Sequence, residues 1–402
     1  MAMPERENIK IVSIGWKIMK KKPEFHGSDL EKIADYYHLD KEKIVLFGAN
    51  VNPLGLSGQV KKDLAEHLDI ISSYPDRDYT DLKKAIAAYT NTSPEHIVVG
   101  NGSTELISLL ISQRAPKRAL LLGPTYSEYA RELNLVGGTL EYYNLKEEQD
   151  FRLDISDLTD TLKSDIDLLI ICNPNNPTGV LYPKELLLEI IQIARESGLL
   201  IFADEIYDRL VMDGKQHISL ASLTEDVPVI TLNGLSKSHC LCGYRCGWMV
   251  ISGPRELTED YRQGIIQLTS LRLCANTMAQ IVIPAALDDM ETPASMIRPG
   301  GRIYEQREAT VRELEKINGL SFVKNDAAFY VFPKLDVKKF NITNDKQFAH
   351  DLLDATNILL VPGSGFDWKD PDHFRIVMLP QADVLSDAIR RMGTFLDGYK
   401  QK

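Results

Sequence analysis

Short apolar runs recur through the middle of this chain, with helical patterns between them. His96-Ile97-Val98-Val99-Gly100 leads into a helical stretch that opens near Ser103. Arg118 to Gly123, Asp167 to Cys172, Leu199 to Ala203, Val227 to Leu232 and Trp248 to Ser252 continue the series. Between two of these runs, Pro183 to Ser197 carries Leu186, Leu187, Ile190, Ile191 and Ala194 at a helical period. A strand that is apolar throughout has no face to give to water and must be covered on both sides. Helical crossovers between parallel strands supply that cover. The expected fold class is therefore α/β, with a large domain built on a mostly parallel sheet flanked by helices. Ligands in such sheets bind beyond the carboxyl ends of the strands, so the polar residues that end each run are the candidate site.

The flanks read differently. Ser57 to Ile71 has the pattern of an amphipathic helix, with Ser57 as N-cap and Val60, Leu64 and Leu68 on one stripe. After about residue 290 the pattern becomes a helix over Arg302–Lys316, strands near Phe322–Phe332, then helix, strand, strand, helix. The expected division is a large domain over 58–290 and a smaller α+β domain from residues 1–57 with 291–402. The 402 residues are 44% hydrophobic, enough for a large core. A net charge of −11 argues against nucleic acid or an anionic membrane surface as partner. Met1 to Lys22 has no secretory apolar region, and no apolar run reaches the ~18 residues that cross a bilayer. Five cysteines make no even disulfide framework and fit a reducing, cytoplasmic compartment. Cys240, Cys242 and Cys246 cluster without a well-spaced second pair, which suits packing beside a loop better than zinc.

The polar residues at the ends of the runs have a chemistry in common. Gly100-Asn101-Gly102-Ser103-Thr104 follows one run and opens a helix. Its glycines admit close backbone approach, and its helix end offers free N–H groups to an anion. Pro124-Thr125-Tyr126 follows the next run, and Tyr126 suits either the core or the face of a heterocyclic ring. Asn173-Pro174-Asn175-Asn176-Pro177-Thr178-Gly179 is a turn stiffened by its prolines, from which Asn176 can donate to a phenolic oxygen. Asp204 ends Leu199–Ala203 as either a helix cap or a buried acid paired with a protonated ring nitrogen, and Tyr207 lies three residues on. Lys237 stands in Asn233-Gly234-Leu235-Ser236-Lys237, with Arg245 eight residues later. A lysine so placed can form a Schiff base with an aldehyde cofactor, and the arginine can hold that cofactor's phosphate. Arg375, inside Phe374-Arg375-Ile376-Val377, fits a structural ion pair or two-point contact with a carboxylate.

In this order the residues resemble the fold-type I, pyridoxal-phosphate-dependent aminotransferases of classes I and II, and the likeness runs almost the whole chain. It implies pyridoxal 5'-phosphate as cofactor and amino acids and 2-oxo acids as substrates. Lys237 is then the Schiff-base lysine and proton shuttle. Asp204 partners the ring nitrogen, Asn176 and Tyr207 the phenolic oxygen, and Tyr126 stacks on the ring. Gly102, Ser103, Thr104, Ser236 and Arg245 are the implied phosphate ligands, and Arg375 the grip on the substrate carboxylate. Tyr74, in Ser73-Tyr74-Pro75-Asp76, is implied to reach the neighbouring subunit's phosphate, which requires a homodimer with shared sites. Gly234 departs from the pattern, since many relatives carry serine or threonine there.

Two likenesses point to different substrates. Leu271-Arg272-Leu273-Cys274-Ala275-Asn276, Gly300 to Arg307 and Arg375 to Pro380 are similar to alanine aminotransferases. Phe25-His26-Gly27-Ser28-Asp29 and Gly48 to Gly55 are similar to threonine-phosphate decarboxylase and histidinol-phosphate aminotransferase. The longer, C-terminal likeness implies transfer between a small amino acid, alanine, and 2-oxoglutarate. The alternative is a lyase or aminotransferase acting on a phosphorylated substrate. Arg272 fits a structural role better than a second carboxylate grip.

Overall fold

A computed structural model describes residues 30–162 and 165–402. The segments Met1–Lys22 and Phe25–Asp29, read above, lie outside the described residues. The large sheet has seven strands: β1 (Ile97–Gly100), β2 (Arg118–Gly123), β3 (Thr139–Asn144), β4 (Leu168–Cys172), β5 (Leu200–Asp204), β6 (Val229–Gly234) and β7 (Gly247–Ser252). Their order is β1-β7-β6-β5-β4-β2-β3. All pairings are parallel except those of β7, which runs antiparallel to both β1 and β6. This reversal matters for the site. The N-terminal end of β7 lies at the edge where the other strands finish, so Arg245 arrives beside the ends of β1 and β6.

The six apolar runs are strands of this sheet, within one or two residues of their expected ends. β3 went unpredicted because only one of its six residues is buried. Its sequence Thr139-Leu140-Glu141-Tyr142-Tyr143-Asn144 is mostly half-exposed and never forms an apolar run. The helix expected over Ser57–Ile71 starts as read, with Ser57 Oγ accepting from the Val60 amide. It stops at Glu66, however, and Leu68–Ser72 is a 3-10 turn. Leu68 therefore leaves the stripe and is 55% exposed.

Residues 302–402 and the strand Val45–Leu46 build a second layer. Tyr330–Val331, Phe374–Val377 and Val361–Pro362 form a small antiparallel sheet with Phe374–Val377 in the middle. Val45–Leu46 pairs in parallel with Ile358–Leu359. Helices Arg302–Leu314, Asp345–Thr356 and Ala382–Gly398 cover it, and Phe47, Phe348, Leu352, Phe374, Ile376 and Leu385 share its core. Buried Arg307 pairs with Asp213 through two 2.7 Å bonds, joining this layer to the loop after β5. No helix among the described residues is long and apolar enough to cross a membrane.

Candidate active site

Three glycines lie level where the strands end: Gly100 faces Gly247 across β1–β7, and Gly234 faces Gly247 across β6–β7. A Cβ on Gly247 would lie 2.6 Å from the Ser103 amide nitrogen and 2.8 Å from the Gly102 carbonyl carbon. The bareness of Gly100 and Gly247 lets the helix Ser103–Arg114 start against the sheet. Gly102, at φ +91°, turns the chain into that helix, whose first turn has no side-chain cap. A Cβ on Gly102 would strike the Arg245 guanidinium at 2.4 Å. Free helix N–H groups under a guanidinium make a cradle for a dianion. Gly234, where a hydroxyl residue was expected from the resemblance, is bare because the Cys246 carbonyl would stand 3.0 Å from its Cβ. Ser236, half-buried on the turn after β6, is the hydroxyl close to that edge.

Asp204, the last residue of β5, is 5% exposed. Its Oδ2 accepts from the Tyr129 hydroxyl at 2.6 Å and its Oδ1 from the Ile206 amide at 3.1 Å. Burial pushes its carboxyl up to about 6, against the pull of these donors and of Lys237. An acid held in this way is still ionised at neutral pH and suits a cationic partner. Tyr126 is half-buried, edge-on to Tyr129 at 5.6 Å, its hydroxyl pushed up to about 12 by burial with the charges of Glu128 and Asp204.

Lys237 follows β6, and its Nζ donates to the Asn50 carbonyl at 3.1 Å. Burial pushes its ammonium down to about 8, with the charges of Arg375 and Arg245 acting in the same direction. Arg375 lies on the middle strand of the small sheet, wholly enclosed. Its Nη1 donates to Asn176 Oδ1 at 2.9 Å and its Nη2 to the Gly48 carbonyl at 2.8 Å. Its guanidinium lies over the Tyr330 and Phe366 rings, 4.9 and 4.7 Å from their centroids. Its buried Nε has no hydrogen-bond partner among the described residues. A desolvated cation with an unused donor is poised for an anion. In the Asn-Pro turn, Asn173 Oδ1 and Asn175 Nδ2 build the loop, bonding Tyr182 N and the Pro124 carbonyl, and leave Asn176 to face Arg375.

Lys237, Asp204, Asn176, Tyr207 and Arg375 thus meet between the two layers, with Gly102, Ser103 and Arg245 at the rim. Thr104 and Tyr74 are exposed, the latter by 81%, and Tyr74 joins none of these contacts. Arg272 is a structural residue. It binds Glu105 at 2.9 Å and the Val99 carbonyl at 3.0 Å, bracing the base of the cradle. Sequence reading missed Tyr129, Tyr330 and the carbonyls of Gly48 and Asn50. Tyr330 shares a 2.7 Å hydrogen bond with Tyr207 and accepts one from Asn50 Nδ2 at 3.3 Å. The available signal was the Gly48–Gly55 run itself, which straps across the site. Among the described residues no group of three or more His, Cys, Asp or Glu side chains could hold a metal.

A cradle suited to a dianion, a buried acid, a half-buried lysine and a buried arginine lie together at one end of an α/β sheet. Residues 42–391 match the family aminotransferase class I and II, and the chain belongs to it. The chain is a pyridoxal-phosphate-dependent aminotransferase. It is 38% identical over 363 residues to glutamate-pyruvate aminotransferase AlaA of Haemophilus influenzae, covering 88% of this chain and 90% of that one. To alanine aminotransferase of Mycobacterium tuberculosis it is 36% identical over 364 residues, covering 88% and 85%. Among solved structures, alanine aminotransferase from Pyrococcus furiosus superposes with TM-score 0.84 at 31% identity, covering 92% and 95%. An aminotransferase from Escherichia coli superposes with TM-score 0.86 at 34% identity over the whole of both chains.

The residues fit this cofactor. The space over Gly102 would be filled by any Cβ, the helix start is uncapped, and Asp204 accepts only from neutral donors.

Proposed function

We propose that the enzyme moves an amino group between alanine and 2-oxoglutarate, and in reverse between glutamate and pyruvate, in a ping-pong cycle. One observation carries this reading. A single strap holds both reacting cations, Arg375 on the Gly48 carbonyl and Lys237 on the Asn50 carbonyl. An α-carboxylate on the arginine therefore sets the substrate's Cα within reach of the lysine. The names of the relatives support alanine as the small substrate.

Pyridoxal phosphate, when bound, supplies an aldehyde for the amine and a ring that takes up the electrons released at Cα. Gly102, Ser103, Thr104, Ser236 and Arg245 would hold its phosphate, Asp204 its ring nitrogen, Asn176 and Tyr207 its phenolic oxygen, with Tyr126 over the ring. Arg375 offers its free Nε to the substrate carboxylate, and a forked contact fixes the substrate's orientation. Lys237 Nζ, pushed down to about 8, has a neutral fraction near neutral pH and takes the Cα proton. Such a base contributes roughly 10²–10⁴-fold. Tyr330, through Tyr207, keeps the hydroxyl pair in register. A homodimer would complete the site with Tyr74 of the second copy. The five free cysteines support a reducing, cytoplasmic setting.

The test is a panel of amino donors offered with 2-oxoglutarate, scoring the keto acid and carbon dioxide together, with Lys237→Ala as background. Alanine should lead the panel without carbon dioxide release. Faster turnover of a phosphorylated donor, or stoichiometric carbon dioxide, would overturn the reading.

A further inference from the structure

Behind the sheet, away from the catalytic groups, lies a cavity of about 590 Å³. Its floor is unusual for a buried strand pair. β6 reads Val229-Ile230-Thr231-Leu232-Asn233-Gly234, with two polar side chains two apart and so on one face. They pair across the ladder with Val250 and Trp248 of β7. Thr231 is 6% exposed and Trp248 fully buried, yet neither Thr231 Oγ1 nor Trp248 Nε1 has a hydrogen-bond partner among the described residues. Asp208 Oδ1 is buried and unpartnered in the same way, while His217 Nε2 makes no hydrogen bond among the described residues but lies against the Glu205 carboxylate, and all four residues line this one cavity. Buried polar atoms are rarely left so, and three around one space imply that something answers them.

The charges define what. Glu205 and Asp208 bring two carboxylates. Glu205 Oε2 lies 3.6 Å from His217 Nε2, and Asp208 Oδ2 accepts from the Tyr89 hydroxyl at 2.9 Å. Arg209 brings a cation that already lies 3.5 Å from Asp208 Oδ2, its Nε on the Tyr89 hydroxyl at 2.7 Å and its guanidinium 4.3 Å from that ring's centroid. Lys215 is already paired with Asp326. A simple anion would set its charge against two carboxylates. A bare cation would leave the Trp248 N–H unanswered, since that group only donates. A ligand with a cationic N–H donor and a carboxylate satisfies both ends. We propose that this cavity is a second binding site, for a small zwitterion with the chemistry of a free amino acid. It is separate from the catalytic site. Asp204 and Glu205 are adjacent in the chain but serve opposite sides, Asp204 bonding Tyr129 and Glu205 the Leu220 amide at 2.9 Å.

The experiment is calorimetric titration of the holoenzyme with L-proline and with sarcosine. Both carry N–H donors and a carboxylate, but as secondary amines they cannot give up an amino group. Glycine betaine, which lacks the N–H, is the control. Expected is saturable binding of at least one secondary amine and none of betaine. Trp248→Phe and Thr231→Val should each weaken it about tenfold, the scale of one buried hydrogen bond, while Arg375→Lys leaves it unchanged. Thr231→Val alone decides if Trp248→Phe fails to fold. The proposal is overturned by the absence of saturable heat, or by binding that Arg375→Lys abolishes and Thr231→Val spares. A crystal of the proline-soaked holoenzyme with water alone on Trp248 Nε1 and Asp208 Oδ1 would also overturn it.

Discussion

Arg375 concentrates the electrostatic cost of this site in one side chain. Its guanidinium is out of water and its charge is unopposed, facing an amide oxygen, a carbonyl and two aromatic rings. A substrate carboxylate, as proposed above, would relieve that cost. Lysine would keep the charge but lose the planar fork, which is not a conservative change at a two-point site. Arg375→Lys should raise KM for alanine and for 2-oxoglutarate together, by the equivalent of about 2–3 kcal/mol, leaving cofactor absorbance intact. Steady-state kinetics with both substrates checks this, and a shift in one KM alone would place the second carboxylate elsewhere. Asp204 gives a prediction about pH. Its ordinary value is about 3.9, and the fold holds it at about 6. In that interval the folded, cofactor-free protein keeps a proton that the unfolded chain has released, so stability falls as pH rises and levels off above it. Asp204→Asn removes the titration. Urea unfolding of the two apoproteins at a series of pH values from 4 to 7 should show their stability difference changing across this window, in favour of the variant as pH rises. A constant difference would mean the carboxyl is not held high.

At the scale of elements, the catalytic constellation depends on backbone closeness more than on side chains. Gly100, Gly247 and Gly234 form a row without Cβ atoms, and the helix Ser103–Arg114 begins in the space that Gly100 and Gly247 leave. Gly247→Ala would set a methyl against the Ser103 amide, and backbone has no rotamer by which to retreat. Overpacking of this kind costs about 1–3 kcal/mol. Because it falls on the anion cradle, it should appear as weaker pyridoxal phosphate binding by roughly 5- to 150-fold, with a modest fall in melting temperature. Titration of apoenzyme with cofactor measures it, and unchanged affinity would show that the cradle tolerates displacement. The same elements mark what could be read without coordinates. Doubly buried strands announce themselves as apolar runs, and motifs at their carboxyl ends fall together because parallel topology makes them. Edge strand β3, with mixed exposure, has no such signature. Tyr129 and Tyr330 look like core aromatics in the sequence, because their hydroxyl partners, Asp204 and Tyr207, are 75 and 123 positions away. The stop at Glu66 was hidden because Leu68 continues a stripe that the backbone abandons.

On the whole molecule, one group of exposed apolar side chains lies around a single helix. Leu68, Ile71, Tyr74 and Leu271 are 55%, 62%, 81% and 83% exposed. The turn bearing the first two packs on the helix Thr277–Asp288, and Gln280 of that helix donates to the Asp76 carbonyl at 2.9 Å. The segment Leu271–Asn276 leads into the same helix, and the Asn276 amide donates to Asn101 Oδ1 at 2.9 Å, beside the phosphate cradle. In the homodimer proposed above, this is a surface that the second copy would cover. In a two-fold dimer the same patch serves both copies. The rim of one cradle would then meet Tyr74 of the other copy. Hybrid dimers test this directly. Lys237→Ala removes the amine, and Tyr74→Ala removes the exposed ring, so each parent should be impaired. If Tyr74 serves the opposite site, a hybrid dimer has one site carrying both lesions and one carrying neither. Random reassortment of equal amounts should then restore about one site in four to wild-type turnover. If Tyr74 acts within its own chain, no site escapes a lesion and mixing restores nothing. Subunits mixed in mild denaturant, refolded with cofactor and assayed for alanine-dependent turnover distinguish the two, with size-exclusion chromatography confirming that dimers have formed.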